Sequence, residues 1–143
     1  MSFDKLKEYL PYRGEKYIKP EKAGNYRRYM MDLRDLARQA RDEFSLISKS
    51  FEDRVKPFKA ERVSQWMNQS QLCRPHFWCY FRLPSDGLDD SALAIRLYGE
   101  SDNFGISVEV SFVERRRSEN SLEKQNKVLN LLPFGAVYYF VQK

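Results

Sequence analysis

The chain contains little of the chemistry that builds metal sites or disulfide frameworks. Two cysteines, Cys73 and Cys79, and one histidine, His76, are present among 143 residues. These are too few for a disulfide scaffold or a His/Cys metal cluster, so we expect free thiols and no structural metal. The glycine-rich phosphate loop, the dinucleotide fingerprint and the Gly-x-Ser-x-Gly elbow are missing too. No motif therefore supports an ATPase, a dehydrogenase or a hydrolase, and we expect no cofactor.

Long apolar runs are also absent. No stretch of about 18 apolar residues occurs, which argues against a membrane-spanning helix. The first residues, Met-Ser-Phe-Asp-Lys, lack the basic and then apolar pattern of a signal peptide. The sequence therefore predicts a cytoplasmic protein that has no membrane partner.

The composition is that of a folded domain. Hydrophobic residues make up 42% and charged residues 31%, a balance that favours a packed core over disorder. A length of 143 residues is usual for one domain, and no repeat or linker divides the sequence, so we predict a single domain over 1–143. The aromatic fraction of 15% is high, and such rings either fill a core or cover a binding face.

The positive charge is unevenly distributed. The formal net charge is +5, and residues 1–72 hold 16 Lys/Arg against 11 Asp/Glu, whereas residues 73–143 hold nine of each. The whole excess therefore lies in the first half. This asymmetry points to an acidic partner, most often DNA or RNA; the alternative is an ordinary solvated surface.

Helical periodicity predicts helices over 3–10, 25–48, 58–70 and 118–131. In the longest, apolar residues recur at steps of three and four, which is typical of a stripe that faces a core: Tyr26, Met30, Leu33, Ala37, Ala40, Phe44 and Ile47. In the helix predicted over 58–70, Phe58, Val63, Trp66 and Met67 supply the apolar side.

Alternating periodicity predicts strands over 76–83, 92–98 and 106–112, with a glycine-bearing loop over 99–105 and a terminal strand over 136–141. Short connections favour an antiparallel meander for the first three strands. The predicted fold class is α+β, with N-terminal helices packed on this meander, followed by a further helix and a C-terminal strand. Cys79 alternates onto the aliphatic side of the first strand with Phe77 and Phe81, so we expect it to be buried; we expect Cys73 to be more open.

A line of arginines follows one side of the long helix. Like charges three or four residues apart repel by a few tenths of a kcal/mol, so a helix selected only for stability would avoid the pattern. One interpretation is a face that contacts the phosphates of nucleic acid; the alternative is a solvated face neutralised by Asp35 and Asp42. The candidate phosphate contacts are Arg27, Arg34, Arg38 and Arg41.

The predicted sheet carries rings and arginines on the side that faces away from its aliphatic residues. Flat rings interleaved with arginine are typical of surfaces on which bases stack. The alternative is that a second layer of helix covers this side and buries the rings. The candidate base contacts are Trp78, Tyr80, Arg82, Arg96 and Tyr98.

His76 and Glu109 are expected on the same side of the sheet, and such a pair can serve acid–base catalysis. A single histidine without a nucleophile motif is more often structural, so we assign no catalytic residue. The stretches Trp66-Met67-Asn68-Gln69 and Arg74-Pro75-His76-Phe77-Trp78 resemble segments of small bacterial proteins. The order of basic helices, tryptophan, aromatic strand and meander resembles the DNA-binding N-terminal domains of modification-dependent restriction systems, but no motif carries residue roles across.

The sequence thus favours a non-enzymatic protein that binds nucleic acid. The second hypothesis is a protein–protein interaction or regulatory module in which Trp66, Trp78 and Tyr80 anchor a protein partner. A small enzyme that uses His76 and Glu109 is the third.

Overall fold

The computed structural model describes residues 2–85 and 92–111, without the side chains of residues 110 and 111. Within these ranges the chain forms helices α1 (Asp4–Tyr9) and α2 (Arg27–Arg54), and strands β1 (Lys59–Ala60), β2 (Trp78–Arg82), β3 (Ala92–Glu100) and β4 (Asn103–Ser111). The strands form one antiparallel sheet in the order β1-β2-β3-β4. The predicted α+β class and the meander are confirmed. The helix predicted over 118–131 and the strand predicted over 136–141 lie outside the described residues.

Helix α2 packs its apolar stripe against one face of the sheet. Six of the seven predicted stripe residues are buried, from Met30 to Ile47. Tyr26 is the exception: it precedes the helix and is 67% exposed, so its assignment to the core was wrong. The rings of Phe44 and Phe77 stack with centroids 5.9 Å apart, and those of Phe51 and Phe81 meet edge-on at 5.0 Å. The helix runs six residues beyond its predicted end because Phe51, too, packs on the sheet.

The sheet register confirms the predicted alternation along β2. Phe77, Cys79 and Phe81 are buried on the helix side, whereas Trp78 and Tyr80 on the other side are partly exposed. Cys79 is therefore buried as expected. Cys73 is equally buried, so the expectation that it is more open was wrong: its N–H donates to the Glu15 carbonyl, which draws it under the N-terminal segment.

Strands β3 and β4 form a tighter hairpin than the sequence predicted. The expected loop over 99–105 is reduced to a turn at residues 101–102, because Gly99 pairs with Phe104 and Glu100 with Asn103. Gly99 adopts φ +96°, and an added Cβ would lie 2.3 Å from the Asn103 carbonyl oxygen. Only glycine therefore permits this close approach of the two strands.

The helix predicted over 58–70 is wrong. Lys59 and Ala60 pair with Arg82 and Phe81 as strand β1, and the chain then runs on along the edge of β2. There the N–H of Glu61 donates to the Tyr80 carbonyl. Val63 and Trp66 are buried all the same, so pairing with the sheet prevailed over the helical spacing of the apolar residues.

Residues 61–74, which we call the edge segment, lack regular helix or strand beyond isolated bridges. The hydroxyl of Tyr9 lies 2.7 Å from the Trp66 carbonyl oxygen and 3.0 Å from that of Arg74. Helix α1 therefore contacts the edge segment at two points, Trp66 and Arg74. Since Tyr9 is fully buried, this contact fixes the edge segment between α1 and the sheet.

Candidate functional site

A groove of about 450 Å³ opens beside the arginine line of α2. Its walls are α2, residues 17–21 of the N-terminal segment, and residues 65–67 of the edge segment. We call it the basic groove, because its lining includes four cationic side chains against two carboxylates, Glu21 and Asp42. The cations are Lys19, Arg34, Arg38 and Arg41.

Three of the four arginines predicted on α2 thus meet in one cavity. Arg27 is exposed and does not line it; it lies seven residues before Arg34, about 10 Å along the helix axis. Periodicity alone could not assign Lys19, since it lies in the irregular N-terminal segment and joins the groove only through tertiary packing.

Arg41 is the best-anchored cation of the groove. Its Nε donates to the Ser64 carbonyl at 3.0 Å and its Nη2 to the Val63 carbonyl at 2.8 Å. Burial lowers the pKa of Arg41, and the nearby Arg62 charge lowers it further. A guanidinium carries five N–H donors, so two bonds to the edge segment leave three for a ligand.

Arg34 and Arg38 differ in how they are held. Arg34 donates from Nε to the Asp35 carboxylate at 3.2 Å, and this contact, with smaller contributions from Tyr17, raises its pKa. Arg38 is exposed and forms no hydrogen bond or ion pair with the described residues. Asp35 therefore neutralises part of the arginine line, as the alternative interpretation expected, but it does not engage Arg38.

The opposite side of the sheet places Trp78 at the centre of a cationic cluster. The guanidinium carbon of Arg74 lies 4.9 Å from the Trp78 ring centroid, and that of Arg96, its cross-strand partner, lies at 5.7 Å. The His76 ring is 5.4 Å away. Arg74 was not among the residues predicted from the sequence, although its position four residues before Trp78 was a usable signal. Because two guanidinium groups already contact the indole, a base would have to compete with them for the ring.

His76 and Glu109 do lie on one side of the sheet, but Arg96 stands between them. Nη1 of Arg96 lies 3.2 Å from Nε2 of His76, and its Nε lies 3.4 Å from Oε1 of Glu109. Ser107 donates to the same carboxylate at 2.6 Å. Burial lowers the pKa of His76, and the charges of Arg96 and Arg74 add to this effect. The arrangement favours a neutral imidazole that accepts a hydrogen bond from Arg96.

The remaining predicted base contacts, Arg82, Tyr80 and Tyr98, differ in how exposed their side chains are. Arg82 is only 7% exposed; its Nε donates to Glu61 at 2.7 Å, and its guanidinium lies 6.0 Å from the half-buried Tyr80 ring. Tyr98, at the other end, is 53% exposed and its ring crosses Gly105, where an added Cβ would lie 2.6 Å from the phenol oxygen. Of the predicted base contacts, Tyr98 thus has the most accessible ring.

The two predicted surfaces do not form one site. Helix α2 packs against the Phe77 and Phe81 side of the sheet, and successive residues of a strand point to opposite faces. The basic groove and the Trp78 cluster therefore lie on opposite sides of the sheet, and the edge segment passes between them: Trp66 lines the groove and Arg74 contacts Trp78.

Among residues 2–85 and 92–111, no group of three or more histidine, cysteine or acidic side chains is placed to hold a metal ion. No helix in this part of the chain has the length and apolar character needed to cross a bilayer. Comparison of the chain with protein-family models, with curated proteins and with solved structures finds no match.

Proposed function

We propose that this protein binds nucleic acid, with the basic groove as its phosphate-contacting site. One observation carries the proposal: Lys19 and three arginines of α2 line one cavity in which cations outnumber carboxylates by four to two. Arginine presents a planar fork that matches phosphate oxygens, and the anchoring of Arg41 lowers the entropy lost when a ligand binds.

Salt dependence gives the sharpest test, because each neutralised phosphate releases counterions and steepens the fall of affinity with salt. Binding of labelled single-stranded DNA, single-stranded RNA and duplex DNA is measured by fluorescence anisotropy over a salt series. The test variant is Arg34→Gln/Arg38→Gln. The matched control is Lys49→Gln/Arg54→Gln, which removes two exposed charges from the same helix outside the groove.

We expect the test variant to bind more weakly and to reduce the slope of log affinity against log salt by roughly one unit for each lost phosphate contact. The control should stay close to the wild type. Absence of binding by the wild type at low salt would overturn the proposal. Equal losses in the test and control variants would exclude the groove as the site.

The protein-partner hypothesis is weakened at one of its three anchors, because Trp66 is buried in the core. Salt separates this hypothesis from ours: an aromatic contact surface responds little to ionic strength, whereas phosphate binding weakens steeply.

A further inference from the structure

The basic groove has the dimensions of a small-molecule pocket. Its volume of about 450 Å³ falls in the range of roughly 300–1,000 Å³ that is usual for sites that enclose a small ligand. Three chain segments wall it, and the exposed Arg27 and Arg28 at the start of α2 lie outside its lining.

The charge of the groove also suits one highly charged group. Arg34 is already paired with Asp35, whereas Lys19, Arg38 and Arg41 form no ion pair with the described residues, so three of the four lining cations can meet a ligand. A phosphomonoester carries about −1.5 to −2 near neutral pH, whereas each internal phosphodiester carries one negative charge. Three cations without an ion pair therefore match the charge of a terminal phosphate better than that of a single internal one.

The walls beside the cations are apolar or aromatic. Pro20, Trp66 and Met67 line the groove together with the arginines. Trp66 is only 6% exposed and contacts Tyr17 edge-on at 5.0 Å between centroids, so the half-buried Met67 is the most accessible of the three. A phosphate that is bound by the arginines would bring its own sugar or base against this wall, which gives a nucleotide more contact than inorganic phosphate would have.

We propose that the basic groove binds the phosphomonoester end of a nucleic-acid strand, with the terminal nucleotide against the wall that Met67 and the exposed part of Trp66 form. This inference rests on the proposed function and specifies which part of the nucleic-acid strand the groove recognises. The same chemistry is present in a free nucleotide, and the experiment separates the two sources.

The probes are oligonucleotides of one sequence with an internal fluorophore, which carry a 5′-phosphate, a 3′-phosphate or hydroxyls at both ends. We expect one phosphorylated form to bind about tenfold more tightly than the form with two hydroxyl ends, which is the effect of about 1.4 kcal/mol. Arg34→Gln/Arg38→Gln should abolish this preference, and Lys49→Gln/Arg54→Gln should retain it.

Equal affinity for all three probes would overturn the inference and leave the nucleic-acid proposal standing, whereas failure to bind any probe would overturn both. Competition by a nucleoside monophosphate, but not by the nucleoside, supports the phosphomonoester site. If the phosphorylated oligonucleotide binds more tightly than the monophosphate, the ligand is a strand end. Equal affinities would overturn the strand-end inference and identify a free nucleotide as the ligand.

Discussion

Arg41 should contribute to stability as well as to the charge of the groove, and the substitution Arg41→Gln separates the two roles. The variant loses the bonds from Nε and Nη2 to the carbonyls of Ser64 and Val63. Hydrogen bonds that involve a charged group contribute about 1.5–3 kcal/mol each. Arg41 is only partly buried, so water can replace much of what is lost. We expect the free energy of unfolding to fall by about 2 kcal/mol, which is less than the roughly 3–6 kcal/mol that two such bonds would contribute if water did not replace them.

The assay is urea unfolding followed by tryptophan fluorescence, with thermal unfolding as a second measure. A loss of this size corresponds to about 4–8 °C in Tm for a chain of this length. Arg38→Gln is the control. It removes the same charge three residues earlier in the helix, and the Arg38 side chain bonds to no described residue. The free energy of unfolding of this variant should stay within about 0.5 kcal/mol of the wild type. Equal unfolding midpoints for the two variants would refute the anchoring role of Arg41.

Three further predictions concern other parts of the molecule. The pKa of His76 lies below its ordinary value of 6.5, so as pH falls the unfolded chain takes up a proton before the folded chain does. Stability should therefore fall as pH drops below about 6.5. In urea titrations, His76→Gln should lose less stability between pH 7 and pH 5 than the wild type. Burial raises the pKa of Cys73 and Cys79 to about 11 each; neither thiol should react with Ellman's reagent at pH 7.5 until urea unfolds the protein, and rapid labelling of the native state would contradict the burial. Gly99→Ala should lower the free energy of unfolding by about 2 kcal/mol or more, because φ at Gly99 is +96° and the new Cβ would meet a carbonyl oxygen of the facing strand. Gly14→Ala is the control, since Gly14 has φ +79° but nothing within 4 Å of an added Cβ. An equal loss of stability in the two variants would show that the clash has no effect.

The parts of the fold that follow from local periodicity could be predicted from the sequence. Alternation placed Cys79 and Phe81 of β2 on one face of the sheet together with Phe77, which directly precedes the strand, and helical spacing placed Phe44 on the core side of α2. These patterns are local consequences of the helical and strand repeats. The edge segment could not be predicted in this way, because it is held by backbone bonds from Glu61 and Ser64 to a strand that follows them in the sequence.

The candidate site was predictable only in part for the same reason. The spacing of Arg34, Arg38 and Arg41 placed them on one side of α2, and the structure brings them to one cavity. Lys19 and Trp66 complete that cavity from segments without regular periodicity, so no pattern linked them to the arginines. The anchoring of Arg41 was hidden as well, since its acceptors are main-chain carbonyls and carry no side-chain signal.

The backbone bonds of the edge segment have a consequence for the motions of the groove. Tyr17 N–H donates to the Gln71 carbonyl and Cys73 N–H to the Glu15 carbonyl, so two walls of the groove belong to one hydrogen-bonded unit. The edge segment therefore opens only when it separates from the N-terminal segment to which it is hydrogen-bonded. In native-state hydrogen exchange, the amides of Tyr17 and Cys73 should therefore exchange slowly and with a shared opening free energy, as amides within a single cooperative unit do.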